Sequence, residues 1–124
     1  MGTWGSGNFD SDGALDYMGE IMDGLGTRIE NTFADESLSY LDEYGEAVIV
    51  PSVAVMSVLC EQCHAVPPQA VTVTQWKTQY LTLFDDQIEG LGGSAEFNRE
   101  RRATVVSTFE RLEEQARAFW RDGE

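Results

Sequence analysis

Hydrophobic positions recur at every third or fourth residue through most of the chain, the spacing that lines one face of an α-helix. From Asp12 onward, Leu15, Met18, Ile21, Met22 and Leu25 fall on one side of such a helix, with Asp16, Glu20 and Asp23 roughly opposite. The pattern predicts a first helix capped by Asp12 and closed by Gly24 and Gly26. A second helical region is expected over about residues 27–44, with Ile29, Phe33, Leu38, Leu41 and Tyr44 inward. Ala34-Asp35-Glu36 is the place where it would divide.

Residues 46–63 carry two signals. Val48, Ile49, Val50, Val53, Val55 and Val58 have the β-branched character of a buried strand. Ala47, Ala54, Met56, Leu59 and the length of the run favour a buried helix that starts or kinks near Pro51 and stops before Pro67-Pro68. A helix is the expectation. Further on, Trp76, Tyr80, Leu83, Phe84, Ile88 and Leu91 predict a helix over about 72–90, closed by Gly92-Gly93. Ser94 then caps a last helix in which Val105, Phe109, Leu112, Ala116 and Phe119 repeat at 4-3-4-3 spacing. Strand-period alternation and internal repeats are both lacking. The expected fold is all-α: a single domain, 1–124, built as a bundle of four to five amphipathic helices with a Gly-rich arm over 1–11.

Composition fits that picture, and charge adds to it. The 124 residues are 42% hydrophobic, ordinary for one globular domain, but the formal net charge is −14. Residues 1–62 hold twelve acids against one base, Arg28, and residues 63–124 ten against seven. That sign argues against direct nucleic-acid binding and against a polybasic membrane reader. Gly2 followed by Ser6 superficially fits a myristoylation pattern, yet one acyl chain would anchor so acidic a chain poorly. The start lacks a signal-peptide pattern, and the apolar stretch Ala47 to Leu59 is too short for a span. A cytoplasmic location is expected, with Cys60 and Cys63 as reduced thiols.

The first residues carry a motif, Met1-Gly2-x-Trp4-Gly5-x-Gly7-x-Phe9-x-x-Asp12-x-Ala14-x-Asp16. It resembles the N-terminal signature of a mostly bacterial family, domain of unknown function 4259. The resemblance continues through Tyr40-Leu41-Asp42, the Ala/Val-rich segment and the Trp76 helix. It implies an α-helical single domain and brings no activity. The family usually has Asn near position 11, where this chain has Ser11, so no special chemistry is assigned there. Physically the motif reads as a pinned arm. Gly5 and Gly7 allow tight turns, Trp4 and Phe9 act as apolar plugs, and Asp10 and Asp12 offer acceptors at the first helix's start.

Cys60-Glu61-Gln62-Cys63-His64 matches the attachment pattern of c-type haem. Export is not indicated, however, and no methionine follows His64 to serve as an axial ligand. For zinc, Cys60, Cys63 and His64 are three ligands where a structural site needs four. Thiol redox chemistry is disfavoured beside Glu61 at a helix C-terminus, so two small buried side chains ending a core helix are expected. Asn8-x-Asp10-x-Asp12-Gly13-x-Leu15-Asp16 imitates a calcium loop, but its twelfth position is Gly19 rather than a carboxylate. One histidine and no Gly-x-Ser-x-Gly, P-loop or His-Glu-x-x-His leave no catalytic residue to nominate.

The remaining feature is the stripe Asp12, Asp16, Glu20 and Asp23, whose like charges stack at i,i+3 and i,i+4. A solvated face is one explanation, and a surface for a basic protein partner is the other. The expected role is a non-catalytic, immunity- or inhibitor-like binding module without a cofactor. Two alternatives stand beside it: a metal- or haem-binding protein using Cys60, Cys63 and His64, and a structural subunit whose acidity reflects a salty host.

Overall fold

A computed structural model describes residues 3–37 and 40–121, with only the backbone of residues 42–45. Four α-helices account for most of them: α1 (Asp12–Ala34), α2 (Val50–Gln62), α3 (Ala70–Gln87) and α4 (Ala95–Trp120). A π-helical segment, Leu41–Ile49, runs directly into α2, and a 3-10 turn, Ile88–Leu91, follows α3. The fold is all-α. Among the described residues the β-type pairing is one isolated bridge between Thr3 and Ser11. Helices α2 and α3 both pack along α4, while α1 lies against α2 and the π-helical segment.

Helix α1 departs from expectation at both ends. Its cap is Ser11 rather than Asp12: the Ser11 hydroxyl accepts the Ala14 N–H at 3.1 Å. Ser and Asn are near-equivalent caps, so an Asn at this position would do the same work. Asp12 becomes the first helical residue, where a negative charge suits the helix dipole. The helix also does not stop at Gly24 and Gly26 but continues to Ala34. Glycine ends a helix by turning left-handed, and neither glycine has positive φ. Buried Ile29 and Thr32 hold the chain helical beyond them, with the Thr32 hydroxyl donating to the Arg28 carbonyl at 2.8 Å.

Gly24 itself is exposed, and a Cβ built there meets nothing within 4 Å. Gly24→Ala is therefore expected to stabilise the fold by about 0.5–1 kcal/mol, through reduced freedom of the unfolded chain. Calorimetry should show the melting temperature rising by about 3 °C.

The ambiguous stretch is helical, in two geometries. Pro51 stands near the start of α2, with no N–H to give and a ring that crowds an α-helical carbonyl four residues back. The change from wide π turns to α turns falls directly before it. Val53 and Met56 are buried in the core, whereas Val55 and Val58 face outward. The helix closes where the Cys63 and Ala65 N–H groups both donate to the Leu59 carbonyl, at 2.9 and 3.2 Å, with His64 at φ 59°.

Gly92 turns left-handed at φ 84°, and the Ser94 hydroxyl accepts the Phe97 N–H at 3.0 Å, so the expected stop and cap are both present. Val105, Phe109 and Leu112 of α4 form one core cluster with Trp76, Tyr80 and Phe84 of α3 and the buried residues of α2, and Ala116 is buried too. Leu91 and Phe119, expected inward, are exposed instead. Of the second helical region, Ile29 and Leu41 are buried; Leu38 and the Tyr44 side chain lie outside the described residues. No helix among the described residues is long and apolar enough to cross a membrane.

Candidate interaction surface

Asp12, Asp16, Glu20 and Asp23 are all exposed on α1, and none is paired with a base among the described residues. The chain's ion pairs lie elsewhere. Arg102 grips Asp85 with two hydrogen bonds of 2.8 and 2.9 Å, which holds that carboxyl below its ordinary pKa. Arg101 pairs with Glu46, and Lys77 and Arg117 pair with Glu113. Among the described residues, the ion-paired bases Lys77, Arg101, Arg102 and Arg117 thus lie on α3 and α4, and none of them reaches the α1 stripe.

Beside that face runs a groove of about 790 Å³ between α1, the Pro67-Pro68 turn and α3. Met22, Met56 and Trp76 form its apolar floor, and Trp120 lines it as well. Trp120 is fixed there by its indole N–H, which donates to the Pro67 carbonyl at 3.0 Å. The charged residues lining the groove are Asp23 and Glu30, both acids. Glu30 accepts the Trp76 indole N–H on Oε2 at 2.7 Å, and its Oε1 has no partner among the described residues. The sequence pattern did not single out Glu30, although Asp16, Asp23 and Glu30 recur at heptad spacing on one helix side.

The N-terminal motif has a structural cause. The Asp10 carboxylate turns back to accept the Gly7 N–H at 2.9 Å, while the Trp4 N–H donates to the Asp10 carbonyl at 3.0 Å. A Cβ on Gly5 or Gly7 would stand 2.5 or 2.6 Å from Asp10 Oδ2, so a side chain at either position would push the Asp10 carboxylate from its place in the loop. Asp10 therefore serves this loop and not the helix start. Phe9 is half-buried and packs against the core. Trp4 is no plug: it is 58% exposed.

Cys60 and Cys63 are half-buried rather than buried, Cys63 at the cap of α2, with His64 exposed beyond it. Burial pushes the Cys60 thiol up to about 11, away from thiolate chemistry at neutral pH. Among the described residues no three His, Cys, Asp or Glu side chains gather as a metal ion would require.

Two polar clusters unforeseen in the sequence tie the helices together. The buried Tyr80 hydroxyl donates to Glu46 Oε2 at 2.9 Å, and Arg101 holds the same carboxylate. Burial, then the charge and hydrogen bond of Glu46, push the Tyr80 phenol far up against the smaller opposing pull of Arg101, so it stays a donor. Between α3 and α4, buried Glu113 accepts from Lys77 at 2.8 Å and from the Thr74 hydroxyl.

These elements define an all-α protein with an acidic first helix and a glycine-dependent N-terminal loop. The family described as Domain of unknown function (DUF4259) matches residues 2–122, and the chain belongs to that family. Neither a curated protein nor a solved structure matches it.

Proposed function

We propose that the chain is a non-catalytic protein-binding module whose α1 face engages a basic protein partner in the manner of an immunity or inhibitor protein. The observation that carries this reading is the unpaired run Asp12, Asp16, Glu20 and Asp23, all exposed while the chain's own bases are paired elsewhere or stand off this stripe. Like charges at this spacing cost the helix a few tenths of a kcal/mol per pair, about 0.2–0.5. A partner's lysines and arginines would offset that repulsion and steer fast association. In this reading the helices form one bundle, the N-terminal loop braces the start of α1, and the protein works in a reducing cytoplasm.

The test is recovery of the partner on immobilised protein, with the captured chain identified by mass spectrometry. Asp16→Lys with Glu20→Lys is expected to cut recovery at least about tenfold, equivalent to about 1.4 kcal/mol. Both positions are exposed, so the circular-dichroism melt should hold. Undiminished recovery by the folded double variant would overturn the reading.

A further inference from the structure

We propose that the groove beside α1 is the seat of an arginine side chain presented by the partner on an apolar stretch; this rests on the protein-binding reading and names the chemistry of its anchor. Charge and shape point the same way. The groove combines an apolar floor of Met22, Met56 and Trp76 with two carboxylates, Asp23 and Glu30, and no base lines it. A lysine or arginine stem covers apolar surface while its head reaches a carboxylate. The planar, weakly hydrated guanidinium lies on aromatic faces more readily than an ammonium does. Half-buried Trp120 supplies such a face, and Glu30 Oε1 is an open acceptor at the same groove.

Two glycines leave the α1 wall of the groove bare. Gly19 and Gly26 both line the groove. A Cβ on Gly19 would meet nothing within 4 Å, and one on Gly26 would make only ordinary contacts, 3.8 Å to Met56 and 4.0 Å to Trp76. Packing therefore does not force glycine at either position, although each costs the helix about 1 kcal/mol relative to alanine. Side chains there would project into the space that a bound stem occupies.

The probe is a capped pentapeptide with one arginine between two leucines, against the same peptide carrying neutral citrulline. Binding is followed through the indole N–H resonances of Trp76 and Trp120. Arginine peptide should shift both saturably, and citrulline should bind at least about tenfold more weakly, because a charge-assisted hydrogen bond is lost. Glu30→Gln keeps an acceptor for Trp76 but removes the charge, and should weaken binding about fivefold. Gly26→Leu should abolish the shifts while its melting temperature stays level or rises; Gly19→Leu is the second blocking variant should Gly26→Leu fail to fold. Equal binding of the two peptides, or native binding by a folded blocking variant, overturns the proposal. Asp16 and Glu20 lie outside the groove lining, so their reversal judges the acidic face separately. Peptide binding that survives while partner recovery ignores that reversal would sink the acidic-face reading and leave the groove standing.

Discussion

Lys77→Met is expected to cost about 3–5 kcal/mol of folding stability, read as a fall in the urea midpoint with an unchanged slope. The reason is the company Lys77 keeps. Glu113, on the face of α4 that meets α3, is only 1% exposed, and Lys77 Nζ donates to its Oε1 at 2.8 Å. The Thr74 hydroxyl donates to the other oxygen, while Arg117, one turn along α4 and itself exposed, stays 3.6 Å away. Methionine preserves the apolar stem of Lys77 but withdraws the charge, leaving a buried carboxylate with one hydroxyl and a distant guanidinium. Lys77→Met with Glu113→Leu removes both partners and should recover most of the loss, since well-packed apolar residues replace a buried pair at little cost. A single-variant loss below about 1 kcal/mol would place this pair with surface ion pairs instead.

The same cluster sets a pH dependence. Burial is the largest influence on Glu113 and raises its pKa, but it is outweighed by the hydrogen bonds from Lys77 and Thr74 together with the Lys77 and Arg117 charges. The carboxyl therefore lies below its ordinary value in the folded state. A group lowered in this way stabilises the fold fully above its unfolded pKa, and that contribution drains away as pH falls through the folded value. Acid titration of the native protein should show this loss below the usual glutamate range. In Lys77→Met burial dominates and lifts the folded value above the unfolded one, so the sign reverses: this carboxyl then costs stability as pH rises through that window, and acidification recovers it.

Glu113 also shows where the sequence stopped being informative. The 4-3-4-3 seam of α4 was legible because Val105, Phe109, Leu112 and Ala116 contrast with polar neighbours, and all four are buried. Glu113 adjoins Leu112 and looks like one of those polar neighbours; its burial follows from Lys77 and Thr74, some forty residues earlier in the chain. The stop at Gly92 was readable because Ser94 follows it as a cap, and φ there is positive. Gly24 and Gly26 gave the same local signal but were overruled by tertiary burial further along α1. Residues 50–62 carried no clear period for another reason: Val55 and Val58 are exposed, so α2 is apolar on its outer side as well. The acidic stripe was visible from spacing alone. The groove beside it was not, because it joins Gly19 and Met22 to Trp120 across nearly the whole chain.

Two phenylalanines that share one seam in the sequence are expected to differ sharply on truncation. Phe109 is fully buried, with its ring centroid 5.8 Å from that of Tyr80. Phe109→Ala opens a cavity where α3 meets α4 and should cost about 3–5 kcal/mol. Phe119 is 53% exposed and rests edge-on against Trp120 at 4.9 Å. The cause is length. Helix α4 has 26 residues against 18 in α3 and 13 in α2, so those helices cannot cover its whole seam. What remains near Phe119 is the end of α2 and the Ala65–Pro67 turn, with Cys60 and Pro67 lining a shallow hollow beside it. Phe119→Ala should therefore cost less than about 1 kcal/mol, mainly the lost contact with Trp120. Urea unfolding of the two variants in parallel decides the matter. Comparable losses would mean that the end of α4 is covered as deeply as its middle, and that Phe119 is a core side chain after all.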